Sequence, residues 1–190
     1  GQASATRVVT PVHDGVIAEL RQTFAALGAD PSLRCIVLGG HGKAFCAGAD
    51  LAWMRAMADY DWERNRADAQ ALADMLWTLY SCPLPLVARI HGDCYAGGVG
   101  LAAVCDVVVA AERVQFCLSE ARLGLLPATI GPYVVRAMGP RAAQRYMLTA
   151  ERFDATTAQR TGLLHEVAPA EALDAAVQAL VDALLAASPQ

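Results

Sequence analysis

The chain has 190 residues, 55% of them hydrophobic and only 18% charged, enough apolar side chain for one domain with a sizeable core, with or without a small appendage. The formal net charge is −4 and no run of Lys or Arg occurs, which argues against a nucleic-acid partner. The apolar stretches are too short and interrupted to span a bilayer, and the opening GQASATRVV lacks the pattern of a signal peptide, so no membrane role and a cytoplasmic protein are expected.

In chain order, residues 7–10 read as a short strand, with Pro11 and Gly15 marking a turn. Residues 16–27 carry apolar side chains at helical spacing, and Gly28 is a stop signal. Residues 35–38 are a short apolar run closed by Gly39 and Gly40, the mark of a buried strand. A loop over 41–48 leads to Asp50, an N-cap for a helix over 51–57. A longer helical pattern over 61–79 ends before Pro83 and Pro85. Residues 86–90 are another buried strand, followed by a glycine-rich entry into a short helix, then strands over 107–110 and 115–117. The rest reads as helices over 131–138, 140–148, 154–161 and 171–187 with no strand between them. Strands separated by helices predict an α/β domain.

Cys35, Cys46, Cys82, Cys94, Cys105 and Cys117 form no C-x-x-C pair and sit mostly in apolar runs, as buried free thiols in a reducing compartment do. His13, His41, His91 and His165 lack metal-ligand spacing, so no metal is expected.

Three places carry chemistry. KAFCAGADL, residues 43–51, follows a strand and opens a helix. Its small residues admit a ligand close to the backbone, and the first-turn N–H groups of a helix are free to bind an anion. GDCYAGGVGL, residues 92–101, repeats that logic without the spacing of a P-loop or a dinucleotide fingerprint. Each reads equally as an ordinary strand-to-helix turn. Together they can aim two backbone donors at one point, which is what an oxyanion hole needs. The third is Glu120, just after an apolar strand. Apolar surroundings raise a carboxyl pKa and suit it to proton transfer, whereas a surface Glu or an ion pair with Arg122 is the structural alternative.

In this order, KAFCAGADL, HGDCYAGGVGLAAVCDVVVA, VQFCLSEARLGLLPATIG and TAERFDATTAQRTGLLHEV resemble the crotonase superfamily, the enoyl-CoA hydratase/isomerase family. The resemblance covers roughly residues 35–168. It implies a ClpP/crotonase-like spiral of ββα units with C-terminal helices, the core over 1–168 and the start of the helical region, incomplete here, over 169–190. It also implies a homotrimer or dimer of trimers. The backbone N–H groups of Ala49 and Gly97 match the oxyanion donors, Glu120 matches one catalytic glutamate, and Ala47, Asp50 and Leu51 match positions around bound coenzyme A. The ligand implied is an acyl-CoA thioester, with coenzyme A as part of the substrate and no separate cofactor.

Departures accompany the match. The family's first catalytic glutamate falls at Gly100, ATIGPYVV is less glycine-rich than its counterpart, and the early loop that touches coenzyme A is reduced to Pro11-Val12-His13. GGVGLAAVCD, FCLSEARLGL and AERFD are similar to bacterial hydratases of branched or γ-carboxylated enoyl-CoAs, the methylglutaconyl-CoA type. The reading is therefore a hydratase that adds water to a 2-enoyl-CoA. A double-bond isomerase using Glu120 as single proton shuttle is the alternative, and an inactive acyl-CoA-binding subunit is a third. Trp53, Met54 and Met57 are candidates for an acyl pocket, or plain core. Arg55, Arg89 and Arg122 are candidate cations for a second substrate carboxylate, or serve structural or solvated roles.

Overall fold

The computed structural model describes residues 2–8, 13–48 and 51–188, of which 2–8 and 51–54 by their backbone. Five parallel strands form the main sheet in the order β1 (Gln2–Val8), β2 (Leu33–Gly40), β3 (Leu86–Ile90), β5 (Val107–Ala111), β8 (Glu166–Ala168). A smaller sheet joins β4 (Cys94–Tyr95), β6 (Gln115–Cys117) and β7 (Phe153–Asp154). From β3 to β6 the chain alternates between the two sheets, a strand in each before a helical segment, which is the expected ββα spiral. The central strands are covered on both faces, so their side chains are apolar in unbroken runs rather than alternating. Ile36, Val87, Ala88, Ile90, Val109 and Ala110 have no exposed surface.

The helices are α1 (Asp14–Gly28), α2 (Leu51–Ala58), α3 (Trp62–Tyr80), α4 (Gly97–Val104), α5 (Gly131–Thr149), α6 (Ala155–Thr161) and α7 (Leu173–Ala186). Several starts are locally encoded. His13 accepts the Gly15 amide at 3.1 Å, Asp61 the Arg64 amide at 2.8 Å and Asp154 the Thr157 amide at 2.7 Å. Helix α1 packs on α3, and α7 lies along β1, β2, β3 and β5. Among the described residues the buried side chains are apolar groups, thiols and the Tyr146 phenol, and no helix is long and apolar enough to cross a membrane.

Two expectations need correction. The first strand was placed at 7–10, but β1 begins at Gln2, since pairing from Gln2↔Leu33 to Val8↔Gly40 supplies the ladder that its small polar residues do not advertise. Val9 and Thr10 lie outside the described residues. The closing helices are not free of strands: Phe153 pairs antiparallel with Phe116, and Val167 pairs parallel with Ala110. These elements are two and three residues long and lie between helical patterns, without the flanking apolar run that marked β6. The helices expected over 131–138 and 140–148 are both present, parted within α5 at Gly139 (φ 76°, ψ 158°), whose backbone is not helical, with Pro140 opening the second.

Candidate active site

Three segments from distant parts of the chain lie side by side. Residue Cys46 bridges Cys94 in parallel, and Cys94 and Tyr95 pair in parallel with Phe116 and Cys117. The amides of Phe45 and Cys46 both donate to the Asp93 carbonyl (3.0 and 3.1 Å), Tyr95 N–H donates to the Cys46 carbonyl (2.8 Å), and Ala96 N–H donates to the Cys117 carbonyl (2.8 Å). Because the three run in one direction, their continuations leave by one edge: Gly48 from the first, Gly97 from the second, Glu120 from the third.

Glycine is required where these segments touch. A Cβ on Gly92 would lie 2.2 Å from the Lys43 carbonyl oxygen, and one on Gly98 would lie 2.5 Å from Cys46 Cβ. A Cβ on Gly48 would be in ordinary contact, at 3.7 Å, with Ala96 Cβ, which puts the first segment against the turn that opens α4. Ala96 itself adopts φ 47°, ψ −117°, a conformation costly for a residue with a Cβ and held by its surroundings. That turn starts α4 without a side-chain cap. The Gly97 amide, at the first helical position, precedes any intrahelical acceptor and sits at the positive end of the helix. A Cβ there would meet nothing within 4 Å, so the space on that side of Gly97 is open.

Glu120 stands in a single 3-10 turn, Ser119–Leu123, that leaves β6 and ends at the left-handed Gly124. Burial is the main cause of a carboxyl pKa above the ordinary range, opposed by a hydrogen bond from its own backbone N–H. Its Oε2 is buried with no hydrogen-bond partner. An orphaned buried carboxylate oxygen is costly and uncommon, and it makes the group a proton carrier in search of a partner. Arg122 does not pair with it. The guanidinium instead donates to the Ala150 carbonyl at 2.6 Å.

The other expected site residues fall as follows. Ala47 is exposed. Ala49 and Asp50 lie outside the described residues, as do Pro11 and Val12, and Leu51 opens α2. Met57 is half-buried, and Trp53 and Met54 are described by backbone only. Of the three candidate cations, Arg89 is paired with Asp174 and Arg122 is used on Ala150, whereas Arg55 is exposed. Five of the six cysteines are buried and all are free. Burial pushes the Cys46 thiol up to about 11 against hydrogen bonds from the Gly48 and Gly98 amides. These thiols are packing groups rather than nucleophiles.

One organiser escaped the sequence reading. Besides its doubly used carbonyl, Asp93 accepts the Tyr95 hydroxyl at 2.6 Å and the Gln115 amide at 3.1 Å. Burial and this hydrogen bond push the Tyr95 phenol up to about 12. Asp93 thus fastens all three segments together. Its signal was a lone carboxylate inside the second glycine-rich turn, directly after Gly92.

A family model described as enoyl-CoA hydratase/isomerase matches residues 7–190. Enoyl-CoA hydratase AKT6-1 of Alternaria alternata is 40% identical over 173 residues, covering 90% of this chain and 56% of its own length. The mitochondrial enoyl-CoA hydratase of Pongo abelii is 31% identical over 174 residues, covering 90% and 58%. The chain therefore spans little more than half the length of these curated relatives. A crystal structure of an enoyl-CoA hydratase from Shewanella pealeana is 42% identical with a TM-score of 0.93, covering 98% of this chain and 72% of that one.

Proposed function

The chain belongs to the enoyl-CoA hydratase/isomerase family, and from that premise we propose that it binds an acyl-CoA thioester and adds water to a 2-enoyl-CoA with a branched or γ-carboxylated acyl chain. The observation that carries this reading is Glu120, a carboxyl with a buried, unpartnered oxygen on the segment that pairs with the one leading to Gly97. In this reading the thioester carbonyl accepts from the N–H groups of Gly97 and Ala49. Negative charge grows on that oxygen as water adds at the β-carbon, and the two donors with the end of α4 stabilise it. Losing one such donor costs about 10²–10³ in rate. Glu120 handles the proton, activating the water and delivering a proton to the α-carbon. Ala47, Asp50 and Leu51 border the coenzyme A portion, which is part of the substrate. Assembly as a trimer or dimer of trimers and a cytoplasmic location belong to the same proposal.

A specific observation favours a second reading. Gly100 offers no second carboxylate, and one carboxyl suffices to move a double bond from the β,γ to the α,β position. The deciding experiment follows loss of conjugated enoyl-thioester absorbance with 3-methylglutaconyl-CoA and crotonyl-CoA and identifies the product by mass. A gain of one water supports the hydratase. Conjugation of a 3-enoyl-CoA without water gain supports the isomerase. No reaction with any of the three overturns both.

A further inference from the structure

Two peculiarities that lie far apart in the sequence meet in the structure. Gly100 is buried within α4, and Ile130, 2% exposed, immediately precedes α5. A Cβ built on Gly100 would lie 2.2 Å from Ile130 Cγ2 and 2.8 Å from Ile130 Cβ. Contacts under 3.0 Å essentially never occur for real Cβ atoms. Nor is the obstacle the tip of a flexible chain. Ile is branched at Cβ and stiff about χ1, and this one belongs to the buried core. The direction in which any side chain at 100 would leave α4 is therefore already filled by residue 130.

We propose that Gly100 and Ile130 are one coupled exchange, in which Ile130 supplies the side chain for the space beside α4 and so limits the site to a single carboxylate, Glu120. This rests on the functional reading above for its chemical consequence, though not for its packing. Ile130 is then the residue that sets how many acid–base groups the site holds. A glutamate can enter at 100 only when the branched side chain at 130 is removed.

A double-mutant cycle tests the packing without reference to activity. Gly100→Ala alone is expected to lower the melting temperature by roughly 5–10 °C, the effect of overpacking in a chain of this size. The same change in an Ile130→Gly background should cost less than half that shift. Gly100→Glu should melt well below the native protein or fail to accumulate, and Gly100→Glu/Ile130→Gly should melt above it. Equal losses in both backgrounds overturn the exchange, and so does failure of both glutamate variants to fold. For the chemistry, Glu120→Gln in the Gly100→Glu/Ile130→Gly background should turn over at least tenfold faster than Glu120→Gln alone, a part of the about 10²–10⁴-fold that one well-positioned acid–base group contributes. Coupling in the melting data without that gain overturns the one-carboxylate consequence. Coupling with no turnover by the native protein overturns the functional reading and leaves the packing exchange standing.

Discussion

At the residue scale the proposed reaction rests on one carboxyl, that of Glu120. Replacing Glu120 by Gln keeps its shape and removes its proton chemistry, so turnover should fall about 10²–10⁴-fold with little change in KM, as steady-state assay can check. Unchanged turnover would remove Glu120 from the mechanism. Its pKa lies above the ordinary carboxyl range because of burial, and two pH effects follow. The limb of the pH–rate profile that depends on Glu120 should lie above the roughly 4.3 of an unperturbed Glu, and vanish in Glu120→Gln. The sign for stability is the reverse of the usual acid case. The folded chain holds this proton more tightly than the unfolded chain, so the contribution is fully present below the unfolded pKa. It is lost as pH rises through the folded pKa. Chemical denaturation across that window should show Glu120→Gln losing less stability with rising pH than the native protein.

At the scale of elements, the opening of α4 is the sensitive joint. Gly98→Ala would drive a Cβ to within 2.5 Å of Cys46 Cβ, separating the turn that carries Gly97 from the segment that leads to Ala49. A lower melting temperature and a large loss of turnover are expected. Retention of both would mean that the two turns need not be in contact. This joint was half legible in the sequence. The glycines of residues 92–101 announced a close approach, but not what approached. That Cys46 fills the gap, and that Asp93 fastens the neighbours, depends on a parallel pairing between segments nearly fifty residues apart. The buried strands β3 and β5 and the helices with Asp caps were readable from local pattern. The strands β4, β7 and β8 were not, since so short an element exists only through its partner.

At the scale of the whole molecule, the small sheet is tied to the closing helices by aromatic packing. Phe153 stacks on Phe116 at 5.6 Å between centroids and touches the Tyr146 ring at 4.2 Å. Phe153→Ala should cost about 3–5 kcal/mol of unfolding free energy, measurable by denaturant titration. A loss under 1 kcal/mol would show that β7 and α5 are held by other contacts. The overall α/β class was legible because the buried parallel strands write themselves as apolar runs. The division into two sheets was not, since hydropathy does not say which strand joins which.

The parallel alignment of Cys46, Cys94 and Phe116 also orders events in time. The three segments are tens of residues apart in the chain, and each pairing closes a loop before it gains anything in return. Contacts of that kind form slowly and late. Refolding monitored by helix signal should therefore run ahead of recovery of the site, and the chain should acquire its chemistry in a single step, with no partly folded species that is partly competent.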